Sequence, residues 1–194
     1  PIWLAASTHP GEEAAAAEAH RAAATPNLLT LIAPRHPERG PEVADLMREA
    51  GLRTTRRGAG ESPGAETEAH VLDTLGEMGA WYRLAPVAFL GASLAPLGGH
   101  NPHEPAALDC AALHGPDTAN FAEEFAALAS VGGAVQVEDG ASLGRAVAAL
   151  LSDEAGRAAM TRAAAEALGD GRQALERTLD ALLALLPPPE GAAR

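Results

Sequence analysis

The chain has 194 residues, the length of one ordinary domain, and at 47% hydrophobic it can bury a core rather than stay disordered. A formal net charge of −12 excludes general nucleic-acid binding and a polybasic membrane surface. All 14 basic residues are arginine, which excludes a P-loop lysine, and the one cysteine, Cys110, excludes an internal disulfide or a multi-cysteine zinc site. No run approaches the roughly 20 apolar residues of a membrane helix, and no secretory signal leads the chain. Pro1 opens directly onto an apolar strand, so a fragment of a longer protein is expected.

Residues 2–6 read as a strand, followed by an alanine-rich acidic helix over 12–24 that suits a surface position. A strand over 27–33 precedes a helix over 41–50, and 52–55 reads as a third strand. The stretch Arg56 to Glu66, RRGAGESPGAE, reads as a mobile Gly/Pro-rich loop. Strand 70–72, helix 76–84, strand 86–91, helix 104–109 and strand 110–114 continue the alternation. Helix 118–129, strand 134–137, and helices 141–151, 153–168 and 171–186 complete it, with Ser152 a suitable N-cap for the second of these helices. Such alternation predicts an α/β fold, a Rossmann-like parallel sheet with helices on both faces. One domain is expected over 1–186, with a frayed tail over 187–194.

In an open parallel sheet, ligands bind in the crevice outside the carboxyl ends of the strands. The segments after the strands are STHPGEE (Ser7 to Glu13), PRHPERG (Pro34 to Gly40), DTLGEMGAWY (Asp73 to Tyr82), GASLAPLGGHNPHEPAA (Gly91 to Ala107) and HGPDTANF (His114 to Phe121). Unusual residues therefore collect at one end of the sheet. The junctions at Ser7/Thr8 and at Gly76, Glu77 and Met78 offer helix-start N–H groups to a phosphate. Arg35 could pair with a phosphate through its planar fork, or stand as a solvated charge. Glu104 has the oxygens to hold two ribose hydroxyls, but with Asn101 three residues earlier it also fits a capping box. Gly98 and Gly99 suit a tight turn. No GxGxxG follows the first strand, so a dinucleotide fingerprint is absent. His9, His36, His100, His103 and His114 lie near the same sheet end, but no recognised ligand spacing completes a metal set, and none is assigned. Cys110 reads as a small buried hydrophobe and GAWYRL as packing.

The five segments, in order and spacing, resemble the motifs of 3-deoxy-D-manno-octulosonic acid (Kdo) transferases, from Trp3 to about Phe125. The resemblance is to the C-terminal, nucleotide-binding domain. It implies one half of a glycosyltransferase-B fold, with CMP-Kdo as donor substrate and no cofactor or metal. It implies inverting transfer of Kdo to the lipid A precursor during lipopolysaccharide assembly, at the cytoplasmic face of the bacterial inner membrane. The catalytic carboxylate, acceptor site and membrane contact are then expected in a missing N-terminal domain. No catalytic residue is assigned here, and the fragment is expected to be soluble and inactive alone. By position, Ser7 and Thr8 match the first loop facing the donor, and Arg35 matches the arginine expected at the CMP phosphate or Kdo carboxylate. Gly76, Glu77 and Met78 match the helix start that offers N–H groups to CMP. Gly98, Gly99, Asn101 and Glu104 match the GGHNxxEP signature, whose glutamate is expected to grip the ribose, and Asn120 matches the asparagine of GPxTxNF. His103 departs from the apolar residue usual there, and DCAALHGP departs from the commoner GxPVLxGP.

Two other readings stand beside this one. A different glycosyltransferase-B enzyme or epimerase would use a UDP-sugar in the same crevice. A non-catalytic α/β interaction module would show a filled crevice with Glu104 satisfied internally.

Overall fold

The computed structural model describes residues 1–169 and 172–185; the expected tail at 187–194 and the last residue of the expected domain lie outside them. Seven strands form one parallel sheet: β1 (Ile2–Thr8), β2 (Leu29–Pro34), β3 (Thr54–Arg56), β4 (Ala69–Val71), β5 (Val87–Leu90), β6 (Ala111–His114) and β7 (Ala134–Gln136). Their order is β3-β4-β2-β1-β5-β6-β7. The helices are α1 (Glu12–Ala23), α2 (Gly40–Glu49), α3 (Met78–Leu84), α4 (His103–Ala107), α5 (Ala122–Val131), α6 (Gly140–Ser152), α7 (Glu154–Leu168) and α8 (Arg172–Leu185).

Strand residues alternate between two cores, because successive side chains leave a strand on opposite faces. Trp3, Ala5, Ile32, Phe89 and Leu113 pack under α1, α2 and α6. Leu4, Ala6, Leu31, Leu90 and Ala112 face Tyr82, Ala106, Phe125 and Ala164 of α3, α4, α5 and α7. The central strands are buried on both faces, which explains their continuous apolar runs. Trp3 has its indole N–H satisfied by the Thr30 hydroxyl at 2.8 Å, so the one polar atom of this core residue carries no burial penalty.

Backbone geometry shifts several expected boundaries. Asn27 has φ 55°, a left-handed conformation that keeps it out of β2. Gly76 has φ 85°, so α3 begins at Met78 rather than at 76. The helix expected over 118–129 is divided into a 3₁₀ turn, Ala119–Phe121, and α5. Ser152 ends α6; the N-cap of α7 is Asp153, whose carboxylate accepts the Gly156 N–H at 2.8 Å. The acidic side chain, one residue on from Ser152, reaches that N–H directly.

Strand order places the crevice. β1 lies between β2 and β5. From β1 the chain turns to α1 on one face, and from β5 it turns to α4 on the other. The two loops therefore part at the carboxyl ends of β1 and β5, at a topological switch point.

Candidate donor-binding crevice

Three loops meet at this switch point. The β1 loop begins with a bulge: the β1–β2 register shifts between Ala6 and Thr8, and Ser7 takes φ 53°. Gly91, at the end of β5, passes so close that a Cβ there would stand 2.3 Å from the Ser7 carbonyl oxygen. This contact needs glycine, and it lets the β5 loop cross directly over the β1 bulge.

The crossing is held by Glu12, which is 1% exposed. One carboxylate oxygen accepts the Ser93 and Leu94 N–H groups at 3.0 Å and that of Ala95 at 3.3 Å. The other accepts the Ala92 N–H at 2.8 Å and the His9 N–H at 2.9 Å. The successive N–H groups of the β5 loop make a nest of the kind that cradles anions, and here the protein's own carboxylate fills it. Glu13, also buried, accepts from Thr8 at 3.1 Å and from Arg39 at 2.7 Å. The acidic helix start that reads as a surface feature is therefore the buried clamp of the site.

The expected site residues divide into two groups. Ser7 lies in the bulge at the end of β1, and Arg35, Gly76, Glu77, Met78, Gly98, Gly99, Asn101 and Glu104 lie on loops or helix starts, all at the carboxyl end of the sheet. Arg35 has its backbone N–H on the Thr8 carbonyl at 3.0 Å while its exposed guanidinium makes no ion pair among the described residues. Glu104 is exposed, and its carboxylate makes no hydrogen bond among the described residues. The capping box is not formed: no side chain caps α4, and Asn101 accepts the His103 N–H at 2.9 Å instead. Two charged groups thus stand unengaged at this end of the sheet, and Glu104 is not satisfied internally among the described residues.

The second group supports the first. Thr8 is fully buried, and its hydroxyl is given to Glu13. The side-chain amide of Asn120 donates to the Leu97 carbonyl at 2.9 Å and the Gly99 carbonyl at 3.3 Å, bracing the Gly98–Gly99 turn. Gly98, at φ 85°, donates its N–H to Asp117 at 2.9 Å. Ser93, buried, accepts the Gly115 N–H on its hydroxyl at 2.7 Å and so links the β5 and β6 loops. Glu12, Ser93 and Asp117 were not singled out from the sequence, although a glutamate pair one turn after the first strand was a usable signal.

On the far side, the Glu77 carboxylate pairs with Arg57 and accepts the Thr74 hydroxyl, which holds its carboxyl down at about 2. Arg57 lies over the Trp81 ring at 5.3 Å. Asp73 accepts from Arg56 at 2.7 Å and from the Gly58 N–H at 2.6 Å. The Gly/Pro-rich loop is accordingly pinned at its start, where sequence composition alone suggests mobility.

His9 and His100 approach Nε2 to Nε2 at 3.2 Å, with His36 edge-on to His9 at 6.1 Å between ring centroids. His114 is buried against Phe125, and His103 lies 3.9 Å from Glu124. Among the described residues no group of three or more His, Cys, Asp or Glu is placed to hold a metal ion. Cys110 is buried, which pushes its thiol up to about 12 and leaves it inert. A cavity of about 710 Å³ lined by Arg83, Pro86, Asp109 and Arg157 opens at the amino ends of β5 and β6, away from the crevice.

Comparison with known proteins decides the family. No family model matches the chain. The C-terminal CMP-Kdo binding domain of WaaA from Acinetobacter baumannii superposes with a TM-score of 0.82 at 31% identity, over 86% of this chain and 88% of that one. The chain belongs to the Kdo transferase family.

Two curated 3-deoxy-D-manno-octulosonic acid transferases agree. That of Haemophilus influenzae is 43% identical over 94% of this chain and 43% of its own length; that of Bordetella pertussis is 40% identical over 94% and 44%. The chain thus spans under half the length of these Kdo transferases. The sheet and its flanking helices are the Rossmann-like domain of a glycosyltransferase-B protein. The departures from the family signature are now placed. His103 is directed to Glu124 of α5 rather than into an apolar contact, and within DCAALHGP the strand β6, Ala111–His114, is buried throughout.

Proposed function

We propose that this chain is the donor-binding half of a Kdo transferase and that CMP-Kdo occupies the crevice between the β1 and β5 loops. The observation that carries this is that an unengaged Arg35 guanidinium and an unengaged Glu104 carboxylate both lie at the carboxyl end of the sheet, in a domain similar to a CMP-Kdo binding domain. Donor phosphate or carboxylate would pair with Arg35, and the ribose hydroxyls would donate to Glu104. Ser7, Gly76 and Glu77 ahead of α3, Met78 at its start, Gly98, Gly99 and Asn101 would line the pocket by backbone and side chain. Thr8 and Asn120 would serve it from beneath. No metal or cofactor is needed in this scheme. Arg35 and nearby N–H groups would stabilise the CMP phosphate as it leaves, where charge develops.

The family resemblance supports the wider setting. The whole enzyme would transfer Kdo with inversion to the lipid A precursor at the cytoplasmic face of the inner membrane, in lipopolysaccharide assembly. Its other half would carry the acceptor site and the catalytic carboxylate. Among the described residues no helix is long and apolar enough to cross a membrane.

Titration of ¹⁵N-labelled chain with CMP and, separately, UDP tests the reading. CMP is expected to move the resonances of Arg35, Met78 and Gly99 and to bind more tightly than UDP. Tighter binding of UDP, or no shift at saturating CMP, would remove it.

A further inference from the structure

His9 follows β1, His100 follows β5, and Arg35 and His36 follow β2, so three separate loops bring one guanidinium and three imidazoles to the switch point. This is an anomaly in a chain of net charge −12. The carboxylates nearest the cluster are already used: Glu12 is buried under five N–H groups, Glu13 is paired with Arg39, and Glu38 lies 3.7 Å from His36. Among the described residues no carboxylate hydrogen-bonds the side chain of Arg35, His9 or His100, and Glu12 acts on His100 through its charge alone.

The pair has a defined proton capacity. A hydrogen bond between Nε2 atoms at 3.2 Å requires one N–H and one lone pair, so at least one ring is neutral. The rings are stacked with centroids 5.4 Å apart, which forbids two positive charges at low cost. The pair therefore carries either no net charge or a single shared positive charge. In the free protein burial disfavours protonation of His100, with His9 and Arg35 acting in the same direction; Glu12 and the Ser7 backbone oppose them. An anion placed against Arg35 would cancel the repulsion from the guanidinium and favour the singly charged state.

We propose that His9 and His100 form, with Arg35, the anion subsite of the crevice, and that the pair takes up one proton when the donor's phosphodiester or carboxylate binds. This rests on the donor-binding reading above. On the protein side the Ser7 backbone is the pair's other hydrogen-bond partner, at His100, and the Glu12 clamp fixes the β1 and β5 loops that carry it.

The test is the affinity of this chain for CMP-Kdo between pH 6 and pH 8, where both anionic groups of the donor stay ionised. One linked proton makes binding strongest at the acidic end, and it weakens as pH rises, by up to about tenfold per pH unit. In His9→Gln and His100→Gln the dependence should collapse to less than about twofold, whereas His36→Gln should retain it. CMP-Kdo binding that is flat with pH in the wild type, or a dependence abolished only by His36→Gln, would overturn the proposal and leave the donor reading standing. Absence of CMP-Kdo binding at every pH would instead overturn the donor reading, and the proposal with it. Should either pair variant fail to fold, the ¹⁵N histidine side-chain titration of the wild type decides. Protonation of the His9–His100 pair must shift to higher pH when CMP-Kdo is added, and an unchanged titration refutes the inference.

Discussion

The Glu12 carboxylate accepts the Ser93 N–H at 3.0 Å across 81 residues of chain, and with it a run of N–H groups from the same loop. This one side chain fixes where the β5 loop leaves the sheet, and so where Gly98 to Glu104 stand. Glu12→Ala would leave five N–H groups without their acceptor in a buried setting. The expected loss is about 3 kcal/mol or more, read as a lower urea midpoint. Glu12→Gln should not rescue it, because the amide NH₂ would face donors. The exposed neighbour Glu18, changed to alanine, should stay within about 0.5 kcal/mol. Equal stability of Glu12→Ala and Glu18→Ala would show that the clamp does not hold the crevice.

Arg35 and Glu104 make the opposite prediction. Both are exposed and neither is bonded through its side chain among the described residues. Arg35→Ala and Glu104→Ala should therefore unfold within about 0.5 kcal/mol of the wild type. Their cost should fall on CMP binding, about tenfold or more for each, since each would remove a charge-assisted contact. Calorimetry with CMP and a thermal melt on the same samples separate the two effects. Unchanged affinity in both variants would exclude them from the pocket.

The contrast between these residues marks what the sequence could reveal. All seven strands were legible, the central ones because a strand buried on both faces is a short unbroken apolar run, the half-exposed edge strands β3 and β7 from their place in the alternation with helices. The collection of polar residues at one sheet end was legible for the same reason: each follows a strand. Contacts between loops were not. His9 and His100 meet only because β5 lies beside β1, a neighbour relation that their separation in sequence does not encode. Glu12 and Glu13 sit in a stretch of alanine and charge that reads as solvent-facing. Their burial is decided by the β5 loop, Thr8 and Arg39, all outside the helix they begin. Glu104 shows the converse: its spacing from Asn101 fits a cap, but Asn101 bends back to the His103 N–H and leaves the glutamate free.

The Arg57–Glu77 pair predicts a titration. Hydrogen bonds from Arg57, and then from Thr74, hold the Glu77 carboxyl down at about 2. Because the folded value is depressed, the pair's contribution is present above the ordinary glutamate range and is lost as pH falls through about 2. Arg57→Met should return Glu77 toward the ordinary range, visible as a shifted side-chain carboxyl resonance in an acid titration. The same change would uncover Trp81, whose ring the guanidinium overlies, and should alter its fluorescence. A Glu77 midpoint that is already ordinary in the wild type would show that the pair is not formed in solution.

Gly98 offers a test of the bracing between loops. Its φ of 85° is strained for any residue with a Cβ, and a Cβ there would stand 2.5 Å from the Asn120 side chain. Gly98→Ala should therefore cost about 2 kcal/mol or more, part as backbone strain and part as displacement of Asn120 from the Leu97 and Gly99 carbonyls. Asn120→Ala removes the brace without the strain and should cost less, about 1 kcal/mol. In the double variant the displacement term is already absent, so the combined cost should be smaller than the sum of the two. A double-mutant cycle by urea denaturation measures this directly. Strict additivity would mean that Asn120 does not brace the Gly98–Gly99 turn, and its side chain would then be free to meet the donor.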